Sequence, residues 1–129
     1  MTIELKVLAW SIVLGIVHIS LAAVLVTQQR GVKWNASNRD GDPKPLTGFA
    51  ARATRASHNF LETFAFFAAA VLAVVLTHKD NHQTALGSEI YLGARLAYLP
   101  IYVVGIPYLR SAVWTISLVG LFLVLAALF

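Results

Sequence analysis

Long apolar stretches alternate with short polar ones along this chain, and the alternation divides it into four hydrophobic segments. Their approximate limits are residues 7–27, 46–77, 85–106 and 110–129. Each has at least the roughly 20 residues that a helix needs to cross the hydrocarbon core of a bilayer. The pattern therefore predicts an all-α integral membrane protein, a bundle of four transmembrane helices in one domain covering residues 1–129.

The polar stretches between these segments predict three loops. Residues 38–45 contain an Asp-Gly pair and two prolines, which interrupt regular structure, and residues 77–84 and 105–110 form the second and third loops. The first apolar segment is too long for a signal-peptide core and lacks a small-residue cleavage site. We therefore expect it to be retained as a span.

Composition agrees with a membrane protein and limits its chemistry. Apolar residues make up 58% of the chain and charged residues only 12%, against about 45–50% and about 25% in soluble domains. The absence of cysteine excludes disulfides, protein thiol nucleophiles and thiolate metal sites. His78 and His82 are four residues apart, but the sequence offers no third ligand near them, so no metal site is predicted.

The net charge of +4 is explained by topology rather than by nucleic acid, and no nucleic-acid partner is predicted. Lys and Arg are concentrated in and beside the first loop, whereas the second loop carries only Lys79. The positive-inside rule places the first and third loops in the cytoplasm and both termini on the opposite side. Four arginines would then meet at one membrane face: Arg30, Arg52, Arg55 and Arg110.

Polar residues form a stripe on the second and on the third apolar segment. Because a helix turns about 100° per residue, an arc of about 80° holds four of them on the second segment, and a fifth widens it to about 120°: Arg52, Arg55, Asn59, Glu62 and then His58. On the third segment an arc of about 60° holds Tyr91, Arg95, Tyr98 and Tyr102. We expect the two stripes to contact each other.

Two interpretations of these stripes are open. Ionisable residues cost about 2.5–3.5 kcal/mol each at a membrane helix centre, so they pair inside bundles, and the stripes could be purely structural. Alternatively they bind a ligand: arginine binds carboxylates bidentately, glutamate accepts an ammonium group, and asparagine matches an amide. That combination suits an anionic, peptide-like molecule held at the membrane surface beside a lipid-facing groove. His18, alone in the first segment, is interpreted as a helix-contact group.

The stretch "RATRASHNFLETF", residues 52–64, resembles the signature of the MAPEG family, the membrane-associated proteins of eicosanoid and glutathione metabolism. The signature reads Arg-Ala-x-Arg-Asn-x-x-Glu, and Arg55, Ala56, Asn59 and Glu62 occupy matching places. His58 stands where the second arginine is usual. The resemblance continues through "ARLAYLPIY" and "YLRSAVWT" and covers nearly the whole chain.

The resemblance implies a homotrimer of four-helix subunits that binds glutathione, as cosubstrate, between neighbouring subunits at the cytoplasmic side. It assigns stabilisation of the glutathione thiolate to Arg110, with Ser111 as an alternative donor to sulfur. The residues that it implies for binding glutathione are Arg30, Arg55, His58, Asn59, Glu62, Arg95, Tyr98 and Tyr102.

The implied function is that of a glutathione transferase or peroxidase acting on lipophilic electrophiles or lipid hydroperoxides in a bacterial-type inner membrane. The alternative is a non-catalytic lipid-binding or scaffold subunit that uses the same pocket, because the family includes such a member. Whether the chain is an enzyme stays open, since His58 replaces the usual arginine. A small transporter component is a third interpretation.

Overall fold

A computed structural model describes all 129 residues and contains four long helices, one short helix and no strand. The prediction of an all-α protein is confirmed. The helices are α1 (Ile3–Arg30), α2 (Val32–Ala36), α3 (Gly48–Leu76), α4 (His82–Val104) and α5 (Pro107–Ala126). The short helix α2, which the sequence pattern did not predict, lies at the start of the first loop.

Three helices, α1, α3 and α5, are long and apolar enough to cross a membrane, so the chain is a multi-pass membrane protein. The 23-residue helix α4 does not reach the same apolar level, because polar residues such as Glu89 and Arg95 interrupt it. It nevertheless packs against all three of the others. Length and composition thus identify three of the four predicted spans.

The helix ends follow from local sequence. The Thr2 side chain accepts a hydrogen bond from the Leu5 backbone N–H and begins α1, and Asn81 and Thr84 form a capping box at the start of α4. Gly105 ends α4 with a φ of +96°, a conformation that glycine adopts without a steric penalty. Pro107 then begins α5, earlier than the predicted limit near residue 110, so Arg110 lies inside the first turn.

Helices α4 and α5 are in close contact at a pair of glycines. A Cβ atom added to Gly120 would lie 2.5 Å from the Gly87 carbonyl oxygen and 2.6 Å from the Tyr91 backbone nitrogen. A Cβ on Gly87 would lie 2.7 Å from the Gly120 carbonyl oxygen. The two backbones can be this close only because neither residue has a side chain, as in many membrane helix pairs.

The bundle interior combines aromatic and polar side chains. Phe67 stacks on Tyr91 with ring centroids 4.0 Å apart, and the Tyr91 hydroxyl shares a 3.0 Å hydrogen bond with Thr63. Closer to the first loop, the buried His18 ring stacks on Phe60 at 4.8 Å. These contacts join α1, α3 and α4, and they fix the height at which the polar residues of α3 and α4 meet.

Candidate functional site

Three arginines meet in a cleft at the end of the bundle where α3 begins, α4 ends and α5 begins. The cleft has a volume of about 260 Å³ and is lined by Arg52, Arg55, Tyr102, Gly105, Ile106, Pro107 and Arg110. We refer to it as the cationic cleft. No acidic residue lines it, so its positive charge is not neutralised from within the cleft.

The sequence builds the cationic cleft from two local features. Arg52 and Arg55 are three residues apart near the start of α3, so their side chains emerge on the same side of that helix. On the other side, the short turn from Gly105 to Pro107 reverses the chain direction between α4 and α5. This turn brings Arg110 beside Tyr102 although the two residues belong to different helices.

Tyr102 lies at the centre of the arginine group. The Arg55 Nε donates a hydrogen bond of 3.0 Å to the Tyr102 hydroxyl, and the guanidinium carbons of Arg55 and Arg110 lie 5.9 and 5.0 Å from the centroid of its ring. The Arg52 Nε donates a hydrogen bond of 2.8 Å to the Val103 carbonyl. Arg52 and Arg55 are therefore anchored through Nε, which leaves their terminal nitrogens free to bind an anion bidentately.

A second polar pair lies one turn deeper. Arg95 is fully buried, and both of its terminal nitrogens donate to the Asn59 side-chain oxygen at 3.0 Å. Its guanidinium also lies 4.3 Å from the centroid of the Tyr98 ring, a stacking arrangement that favours a cation. Since the Asn59 oxygen is occupied, its amide NH₂ is the group that remains available to a ligand. The contact between the stripes of α3 and α4 that spacing predicted is present here and at Arg55–Tyr102.

An apolar groove between α3 and α5 extends away from the cationic cleft. It has a volume of about 620 Å³, and nine of its eleven lining residues are hydrophobic, Phe66, Leu118 and Phe122 among them. Glu62 also lines it. Helix periodicity places Arg55, Glu62 and Phe66 within about 40° of one another on α3. The cationic cleft and this α3–α5 groove therefore share one face of the helix.

Several residues that the sequence predicted for the site lie outside the cationic cleft. Arg30 donates to the Lys44 carbonyl in the first loop at 2.9 Å, and His58 is exposed on α3 without lining the cleft. Tyr98 is buried and does not line the cleft. Ser111 follows Arg110 but is directed to the Pro107 carbonyl, at 3.4 Å. The roles implied for these residues stay predictions.

Arg52 and Gly105 line the cationic cleft although sequence reasoning gave neither a role in binding. The signal for Arg52 was present, because it lies on the same helical stripe as Arg55. The family resemblance, however, implies a binding role for Arg55 and none for Arg52. Gly105 carried no signal at all, because its contribution is the space left by a missing side chain.

No curated protein and no solved structure shows significant similarity to this chain. A family model does match it, over residues 7–129, which is nearly the full length and includes every element of the site. The sequence resemblance described above is thereby confirmed. This chain, which carries the signature stretch on α3, therefore belongs to the MAPEG family.

Proposed function

We propose that this protein binds glutathione in the cationic cleft and presents its thiol to a lipophilic substrate held in the α3–α5 groove. It would act as a membrane glutathione transferase or peroxidase. The observation that carries the proposal is the shared face of α3: Arg55, which lines the cleft of three unneutralised arginines, and Glu62, which lines a large apolar groove, lie on that one face. Glutathione is an anionic tripeptide and its partner substrates are apolar, so both sites are needed side by side.

Each polar residue on this face matches one group of glutathione. The free nitrogens of Arg55 suit a carboxylate, and Tyr102 holds Arg55 in place. The available amide NH₂ of Asn59 suits a peptide carbonyl. Glu62, which lines the groove, suits the ammonium group of the γ-glutamyl end.

Arg110 is the residue proposed to activate the thiol. A free thiol has a pKa of about 8.5, and a nearby cation lowers that pKa and increases the thiolate fraction at neutral pH. In conjugation, the thiolate sulfur forms a bond to the electrophilic carbon while the leaving group departs with its electron pair. With a lipid hydroperoxide, two glutathione molecules are oxidised to the disulfide while the hydroperoxide is reduced to an alcohol and water.

The proposal includes the membrane arrangement. Helix α4 would form the fourth span, because it packs along three apolar helices and its buried Arg95 would not lie in contact with lipid. Polar side chains such as Glu62, His58 and Glu89 remain exposed on the single subunit, and contacts in a homotrimer would cover such groups. The first and third loops would face the cytoplasm, where glutathione is available.

Titration of the detergent-solubilised protein with glutathione, followed by a chromogenic conjugation assay, tests this function. Saturable binding together with turnover above the uncatalysed rate is the expected result. Arg39 makes its contacts with Asn35 in the first loop, so Arg39→Gln is a matched control for loss of one positive charge. Absence of glutathione binding in the assembled protein would refute the proposal.

A second candidate function is the non-catalytic binding of an anionic amphiphile. The face from Arg55 to Ala73 spans about 27 Å along α3, which is enough for one molecule with an acidic head group in the cationic cleft and an acyl chain in the groove. Glutathione and a fatty acid would then compete for the cleft. Fatty-acid binding without any glutathione-dependent turnover would favour this function over catalysis.

A further inference from the structure

We propose that Arg52 binds the glycyl carboxylate of glutathione and supplies the guanidinium that His58 does not provide. This inference rests on the proposed function, because it names the ligand group that one further residue of the same cleft recognises. Arg52 thereby becomes a specificity-determining residue for ligands with a free carboxylate at that end.

The position of Arg52 is fixed by the protein itself. Its side chain crosses from α3 to the end of α4, where Nε donates to the Val103 carbonyl at 2.8 Å. Since that carbonyl belongs to the last turn of α4, it has no helical N–H partner and is satisfied by this bond. The contact holds the guanidinium at the wall of the cleft and leaves its two terminal nitrogens for a ligand.

Gly105 leaves space beside this guanidinium. A Cβ at position 105 would lie 3.5 Å from the Arg52 Nε and 3.6 Å from its guanidinium carbon. Larger side chains would extend into the same part of the cleft. The glycine that ends α4 therefore also keeps the Arg52 side of the cleft open.

His58 does not line the cleft where this role is exercised. It is exposed on α3, and the cations that line the cationic cleft are Arg52, Arg55 and Arg110. A neutral imidazole also lacks the paired donors with which a guanidinium binds a carboxylate. The third cation of the cleft is therefore Arg52.

Charge complementarity selects the glycyl carboxylate among the groups of glutathione. The γ-glutamyl end carries both a carboxylate and an ammonium group, and Glu62 on α3, about 10 Å along the helix from Arg55, suits that ammonium. The glycyl end carries a carboxylate with no neighbouring ammonium. It fits the end of the site that contains only cations, and Arg110 is reserved for the sulfur.

The test compares glutathione with its glycyl monoethyl ester, which lacks this carboxylate, by calorimetric titration of the assembled protein. We expect the wild-type protein to bind the ester at least about tenfold more weakly, as for loss of one charge-assisted contact. Arg52→Gln should weaken glutathione binding by a similar factor and should bind glutathione and the ester equally. Arg52→Lys should keep part of the preference, because an ammonium group lacks the fork. Arg39→Gln should behave as wild type.

Four results would overturn the inference, and only one of them, the failure to bind either ligand, also overturns the proposed function. Equal wild-type affinities for glutathione and the ester would show that the glycyl carboxylate is not recognised. A preference for glutathione that persists in Arg52→Gln but disappears in His58→Gln would assign the contact to His58. Failure of the wild-type protein to bind either ligand would refute both this inference and the proposed function. If Arg52→Gln does not assemble, the inference is still tested by the wild-type protein and by Arg52→Lys. A preference for glutathione over the ester that is unchanged in Arg52→Lys would contradict a bidentate contact from Arg52.

Discussion

The two ends of the helix bundle treat their polar residues in opposite ways. At the end near the termini, Thr84 donates to the buried Glu4 carboxylate, Gln83 donates to the Leu123 carbonyl, and Lys79 donates to the Leu128 carbonyl. At the other end, three arginines line a cleft that contains no acidic residue. These three side chains at the first end bond to partners within the chain, whereas the arginines of the cationic cleft keep donors free.

The difference shows why polarity alone does not identify a site in a membrane protein. Charged residues lie near helix ends at both ends of the bundle, so their presence alone does not show which end binds a ligand. The cationic cleft differs in how many donors its side chains use within the protein. Arg52 and Arg55 each use only one nitrogen, Nε, to hold their positions. The remaining donors are available to a ligand, and we therefore expect mutations at the two ends to affect different properties.

The largest effect is expected at the crossing of α4 and α5, which supports both ends. Gly120→Leu would place a side chain where even a Cβ lies 2.5 Å from the Gly87 carbonyl oxygen, so the helices must separate. We expect a loss of about 3 kcal/mol in the free energy of unfolding, the upper end of what overpacking usually costs. Gly93→Leu is the matched control, since a Cβ there meets nothing within 4 Å. Thermal denaturation in detergent measures both, and equal melting temperatures would contradict the close packing.

At the cleft end, Arg110→Ala should reduce activity without affecting stability. Removing a charge-assisted contact to the thiolate costs about 1.5–3 kcal/mol. This loss would raise the pKa of the bound thiol by about one to two pKa units. Thiolate absorbance of bound glutathione and turnover at neutral pH should therefore both fall by about tenfold or more. Arg110→Lys should restore part of the signal. A variant that retains the wild-type thiolate signal and turnover would reduce Arg110 to a membrane anchor.

At the opposite end, Thr84→Val should reduce stability without affecting ligand binding. It removes the hydroxyl that donates to Glu4 and that accepts from the Asn81 backbone N–H, while nearly preserving side-chain volume. A hydrogen bond to a charged group contributes about 1.5 kcal/mol or more, so the melting temperature should fall. Glutathione affinity should stay constant, because Thr84 and Tyr102 are about 27 Å apart along α4. A change in affinity would show that the two ends are coupled.

The smallest effect is expected for Asn59→Asp. The carboxylate would still accept both hydrogen bonds from Arg95, so the buried pair should remain intact and the melting temperature should not decrease. The amide NH₂ that faces the ligand would be lost, and glutathione affinity should fall about tenfold, or about 1.4 kcal/mol. Unchanged affinity would mean that Asn59 serves only to hold Arg95.

Much of the candidate site was predictable from helix periodicity. Spacing placed Arg55, Asn59 and Glu62 on one stripe of α3 and predicted its contact with the stripe on α4, which the Arg95–Asn59 and Arg55–Tyr102 hydrogen bonds display. Periodicity could not show which side chains of a stripe face the bundle interior and which face the cleft. Arg95 turned inward to Asn59 while Arg55 faces the cleft, and both have the same guanidinium group.

The apolar helices, the interrupting loops and the angular positions along each helix can all be read from the amino-acid sequence, because they depend on composition and on a fixed helical repeat. Which arginines meet depends on how the helices pack. Arg30 bonds to the first loop, whereas Arg52 reaches the end of α4. The same packing makes Gly87 and Gly120 face each other. Such choices depend on which helices become neighbours and at what height, and periodicity along one helix carries no information about the position of another.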